Sequence, residues 1–333
     1  MMTAEICLHN RIRRRPLRLA FMKILAFMAF SLGHDGAWGA DKLNIRILKI
    51  SGVANAFVAK QQGMFEKNGI DARLVEFTSG ANAVNAAHAG DVDVFLSIVG
   101  SVMPAVERGF ELAAVFQNET GRSQPPDSSS VQVLDSSPVK SLADLGGKKV
   151  AVSSLNSQQA VGVQMLLKKA GVDPRSVKFV ELPFPAQVNA LRAGQVDAVV
   201  PVDPFTTQLL RTGGRVISWS YVDSIPDQPL GAWFSKRSFI AKNSKLIDAF
   251  NRTMKESIDY MNADGERARA DVVAFTGLNM DLVKGMPVPH LVYDVRLDRW
   301  QKVIDMLVEY KVLEQPHKPD DFMAEQIKPY AAR

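Results

Sequence analysis

Cysteine is almost absent: the 333-residue chain holds one, Cys7, and none after it. Beyond that point disulfides, zinc fingers, iron–sulfur clusters and cysteine nucleophiles are excluded. A chain without thiols cannot misoxidise, which suits an oxidising compartment. Histidine is scarce, and His88, His290 and His317 are scattered without metal-ligand spacing, so neither a metal nor a cofactor is expected. No G-x-S-x-G elbow is present, and Leu145-Gly146-Gly147-Lys148-Lys149 lacks the glycine spacing of a phosphate-binding loop. Lys140, Lys148 and Lys149 are too few for a nucleic-acid stripe. No apolar run beyond the N-terminus approaches the roughly 20 residues that cross a bilayer.

What charge imbalance there is sits at the N-terminus. The net charge is +5, yet Arg11, Arg13, Arg14, Arg15, Arg18 and Lys23 against Glu5 and Asp35 leave only 34 basic and 33 acidic side chains for the rest. The basic run is followed by an apolar stretch, Leu19 to Leu32, and by small residues ending Ala37-Trp38-Gly39. This order predicts an export signal over residues 1–39, cleaved after Gly39, and hence a periplasmic protein.

The remainder has the composition of a globular protein, 47% hydrophobic and 23% charged, and it contains a repeat. KNGIDARLVEF (Lys67 to Phe77) returns 102 residues later as KAGVDPRSVKF, and AVNAAHAGDVDV (Ala83 to Val94) returns 104 residues later as QVNALRAGQVDA. That spacing is too long for a solenoid and predicts two similar lobes. Each copy reads strand, helix, strand, helix, strand, with near-continuous Val, Ile and Leu in the strands, which implies parallel sheets covered by helices. The two copies place strands at Leu43 to Ile50, Ala72 to Phe77 and Asp93 to Ser97, then at Lys148 to Val152, Ser176 to Leu182 and Asp197 to Pro201. One helix is expected over Ala54 to Asn68, and Gly69, Gly90, Gly171 and Gly194 are expected to end helices. Polar crossings at Gly121 to Ser130 and Trp219 to Pro229 divide the chain into a first lobe, 40–120 with 230–333 including C-terminal helices, and a second lobe, 121–229. Hinges in the crossings would place a cleft between the lobes.

Five blocks in order, GMFEKNGIDARLVEF, SGANAVNAAHAGDVD, SLADLGGKKVAV, LLKKAGVDPRSVKFVEL and ALRAGQVDAVVPVDPF, resemble the periplasmic substrate-binding proteins of the nitrate, sulfonate and taurine group of ABC importers. The resemblance implies an α/β type II periplasmic-binding-protein fold, two similar lobes around a ligand cleft and a helical C-terminal tail. It also implies a monomer that captures a small organic anion by closure and delivers it to an inner-membrane permease with a cytoplasmic ATPase. It carries no enzyme activity. Relatives that make a thiamine pyrimidine use cysteine and histidine chemistry, which the cysteine count argues against. Nitrate, bicarbonate, aromatic carboxylates and pyrimidine precursors stand behind a sulfonate or taurine, and docking on a sensory receptor is the alternative role.

In open α/β sheets ligands sit beyond the carboxyl ends of strands, against helix N-termini. The turns there supply the candidate residues: Ser51 and Asn55; Ser79, Gly80 and Asn82; Ser97 and Ser101; and Ser153, Ser154, Asn156 and Ser157. Hydroxyls and amides at such turns can hold an anion without a full countercharge, although the same residues are favoured helix caps. Asp203 either caps the following helix or faces the cleft, where it would attract an amine and favour a zwitterion such as taurine. Phe184 and Trp233 are candidates for an apolar wall.

Overall fold

The computed structural model describes residues 40–77 and 80–331, and of residues 80–82 the backbone alone. The expected export signal and Ser79 lie outside the described residues.

Among the described residues ten strands form two sheets of five. The first joins β1 (Asp41–Ile47), β2 (Ile70–Glu76), β3 (Val94–Ile98), β4 (Leu112–Gln117) and, from far along the chain, β10 (Gly231–Lys236). The second joins β5 (Val131–Leu134), β6 (Lys149–Val152), β7 (Lys178–Glu181), β8 (Ala198–Val199) and β9 (Gly214–Ser218). Their orders, β2-β1-β3-β10-β4 and β7-β6-β8-β5-β9, are the same pattern. In each, a parallel trio is followed by one antiparallel strand, β10 or β5, that arrives from a crossing and pairs on both sides.

The repeat can be followed atom by atom. Asp93 Oδ2 accepts from the Asn44 N–H at 2.7 Å, and Asp197 Oδ2 accepts from the Lys149 N–H at 2.8 Å. Both aspartates thus tie the entry of the third strand to the first. Gly69 and Gly171 turn at φ 78° and 79°, in the left-handed region where glycine alone is unstrained.

The helix expected from Ala54 to Asn68 is two, Ala54–Gln61 and Met64–Lys67, because Gly63 between them takes φ 67°. Strands β4, β5 and β9 were not among the strands expected from the pattern. They lie inside or beside the segments read as crossings, where Pro, Ser and Gly conceal the short apolar runs.

Burial explains the layering. Leu43, Ile45, Val94, Leu96, Val115 and Trp233 pack on one face of the first sheet against Ile247, Phe250, Met254 and Ile258 of the helix Ser244–Asn262. Phe95, Ala114, Ala232 and Phe234 pack on the other against Trp300, Val303, Ile304 and Leu307 of the helix Leu297–Glu309. Alternation along the strands divides the two faces, so the central strands are buried on both. The second sheet is covered likewise, with Val131, Val133, Val150, Val152 and Val200 on one face and Ala151 and Val199 on the other. No helix among the described residues is long and apolar enough to cross a membrane.

Candidate functional site

Because β3 and β4 both run opposite to β10, they run parallel to β1, and the carboxyl ends of all three open on one edge. The second sheet does the same with β6, β8 and β9. The turns beyond these ends meet around one cavity, lined from the first sheet by Leu48, Ile50, Ser51, Gly52, Ser97, Ile98, Ser101 and Glu119 and from the second by Ser128, Ser153, Ser154, Pro183, Phe184, Val202, Asp203 and Tyr221. Leu96, Leu230 and Gly231 complete the wall. The two sides touch where the Ser51 N–H donates to the Asp203 carbonyl at 2.9 Å.

Of the residues singled out by sequence, Ser51, Ser97, Ser101, Ser153, Ser154, Phe184 and Asp203 line this cavity. The side chain of Asn82 is outside the description, and Gly80 contributes only the start of the helix Gly80–Ala89.

Four others do something different. Trp233 is fully buried in the sheet face, and its indole N–H donates to Asn118 Oδ1 at 2.9 Å. Asn55 is also fully buried and donates to the same oxygen at 2.9 Å and to Ser257 Oγ at 3.3 Å. Asn118 in turn donates to the Gly52 carbonyl at 2.7 Å. Asn55 and Trp233 therefore hold the Gly52 turn from beneath; the pleat and the helix phase point them into the core. Ser157 caps the helix Gln158–Lys169, accepting from the Ala160 N–H at 3.2 Å and donating to the Ser154 carbonyl at 2.8 Å. Asn156 is exposed and does not line the cavity.

Nor are the first two N–H groups of one helix at the cavity, Val99–Glu107, free to seat an anion. The Gly100 N–H, at the start of the helix Val99–Glu107, donates to Gln158 Oε1 at 2.9 Å. The Val99 N–H donates to the Leu230 carbonyl at 2.8 Å.

The residues that sequence reading missed are Glu119, Ser128 and Tyr221. Glu119 follows the carboxyl end of β4 by two residues and is 8% exposed. A Cβ on Gly52 would fall against the Glu119 carboxylate, which in this conformation takes up the space over the glycine. Its signal was the strand-end rule itself, hidden because β4 went unread.

Electrostatically the cavity is acidic. Burial, aided by the negative charges of Asp127 and Asp203, pushes Glu119 up to about 8. Burial also pushes Asp203 up to about 7, against the Thr207 hydroxyl and N–H that donate to its Oδ1 at 2.8 and 3.0 Å. Asp203 thus both braces the following helix and faces the cavity, where its Oδ2 is buried without a partner. Asp127, behind it, is pushed up to about 6 by burial and accepts from the Ser128 and Val222 N–H groups at 2.7 and 3.0 Å. Among the described residues no lysine, arginine or histidine lines the cavity. Among the described residues no cluster of His, Cys, Asp and Glu could hold a metal.

Two carboxyls from opposite sides, hydroxyls of serine and tyrosine, and an apolar wall make a site that can bind and orient a small polar solute.

A taurine-binding periplasmic protein of Escherichia coli is 24% identical over 243 residues, 71% of this chain and 69% of its own. The periplasmic aliphatic sulphonate binding protein of Escherichia coli superposes with a TM-score of 0.70 at 21% identity, covering 86% of this chain and 98% of that one. The periplasmic nitrate-binding protein of Synechocystis PCC 6803 does so with a TM-score of 0.70 at 13% identity, covering 88% and 86%. The fold is that of the periplasmic binding proteins. The family described as NMT1/THI5 like matches residues 51–268, and the chain belongs to that family.

Proposed function

We propose that the chain is the extracytoplasmic solute-binding component of an ABC importer, a monomer that delivers its solute to a permease with a cytoplasmic ATPase. We further propose that this solute is small and carries a cationic nitrogen group. The observation that carries the reading is the pair Glu119 and Asp203, facing one cavity from opposite sheets with no basic side chain among the described residues of its wall. A bare anion there would meet two carboxyls and no basic side chain among the described lining residues, whereas an ammonium would be drawn to both. A taurine-like aminosulfonate meets both halves of the lining: its amine the carboxyls, its sulfonate the hydroxyls of Ser51, Ser97, Ser101, Ser153 and Ser154.

A flat amino heterocycle such as an aminopyrimidine is the second reading. It is favoured by Phe184 and Tyr221, which pack with Val202 and Leu230 along the cavity wall.

Thermal unfolding of the purified, ligand-stripped protein tests this against taurine, amine-free alkanesulfonates, nitrate, bicarbonate, aromatic carboxylates and aminopyrimidines. A solute at 100 times its Kd adds about 2.7 kcal/mol of stability, which a melt resolves readily. Saturable shifts are expected with amine-bearing compounds. Shifts with amine-free anions alone would return the cleft to anion capture.

A further inference from the structure

Glu119 and Asp203 are the parts of the cavity with the least internal compensation. Nothing among the described residues donates a hydrogen bond to the Glu119 carboxylate; the groups that act on it are charges, Asp127 and Asp203 of like sign and Arg122 of opposite sign. Arg122 is already engaged, donating to the Val288 carbonyl at 2.6 Å. Asp203 has one oxygen bound to Thr207 and the other buried without a partner. Tyr221 lines the same cavity and is held protonated by burial beside Glu119 and Asp127. The Glu119 carboxylate lies over the Gly52 backbone, in the space that a side chain at that position would take.

Like charges crowded into a water-poor space ionise stepwise as a pair, and the less costly empty state retains a proton. We propose that Glu119 and Asp203 share a proton in the empty cleft and surrender it to solvent when a cationic solute enters, so that capture exchanges a proton for a charge. The step balances simply: an ammonium and a carboxylic acid become an ammonium–carboxylate pair, one proton passes to water, and no bond in the solute is made or broken. The inference rests on the reading that the solute is cationic. Affinity for such a solute then rises about tenfold per pH unit while the pair holds its proton, and levels off once it is ionised.

Titration calorimetry with taurine at pH 6.5, in two buffers of different ionisation enthalpy, counts the protons released. About one per taurine is expected in the wild type and far fewer in E119Q; binding without release overturns the exchange. A ligand-free arm keeps the two readings separable. A carboxyl whose folded pKa is raised makes the folded state bind more protons than the unfolded one, so stability falls as pH rises from 5.5 through 8.5. E119Q is expected to flatten that fall, with D203N as a second variant. Equal slopes in wild type and both variants overturn the shared proton. If taurine fails to bind while E119Q flattens the slope, the proton stands and the choice of solute is what failed.

Discussion

At the scale of residues, the distinction that matters is between polar groups that face the cavity and those that support it. Asp203 belongs to both sets. Replacing it by asparagine removes charge while leaving an oxygen for Thr207, so the fold should persist. Affinity for an amine-bearing solute should drop by one to two orders of magnitude, and affinity for an amine-free sulfonate much less. Equal losses for both in a calorimetric comparison would remove its role in reading the amine. Trp233 belongs only to the supporting set. In Trp233→Phe the ring still fills the core, but Asn118 loses a donor in a buried network. A loss of about 1–3 kcal/mol in urea unfolding is expected, from the bond removed and the acceptor left unpaired. Sequence alone could not sort these two residues. Each lies in a strand or turn at the correct edge, and only the side of the pleat separates an aromatic wall from a core indole.

Three helices converge at Gly100. A Cβ there would stand 2.9 Å from Gln158 Cβ and 3.0 Å from Leu307 Cδ1, so the helices Val99–Glu107, Gln158–Lys169 and Leu297–Glu309 converge on a position without a side chain. Gln158 completes the junction by donating to Gln228 Oε1 at 2.6 Å and to the Pro229 carbonyl at 2.8 Å. Gly100→Ala is expected to cost about 1–3 kcal/mol through overpacking, read as a lower urea midpoint with an unchanged slope. Gly52→Ala should behave differently. The clash falls on the far end of the Glu119 side chain, which can rotate away, so stability should hold while affinity for an amine-bearing solute falls as in E119Q. The parallel trio of each sheet was legible because its strands are runs of Val, Ile and Leu followed by helices with glycine stops. Strands β4, β5 and β9 were not, since their apolar runs are short and lie inside or beside segments rich in Pro, Ser and Gly.

For the whole molecule, the identical strand orders make each sheet depend on a strand that arrives through a crossing. The crossings are thus anchored at both ends in sheets, and rotation about them would move one set of turns against the other. The hydrogen bond from the Ser51 N–H to the Asp203 carbonyl joins the two sets of turns in this conformation. X-ray scattering should show a smaller radius of gyration with saturating solute than without it. An unchanged radius would mean that the empty protein is already closed.

The amino-acid sequence by itself determined the doubled α/β pattern, the glycine stops at Gly69 and Gly171, and the aspartates Asp93 and Asp197 that tie strand entries. These depend on periodicity and on backbone conformations that few residues tolerate, and both are local. Only the tertiary structure decided that Glu119 meets Asp203 across the cavity, that Asn55 and Trp233 turn inward, and that the first N–H groups of the helix Val99–Glu107 are already bonded. Those outcomes depend on which strands pair, on register and on what packs beneath each turn. Segments 84 residues apart in the chain, such as those carrying Glu119 and Asp203, acquire a shared electrostatic environment only when the two sheets are brought edge to edge.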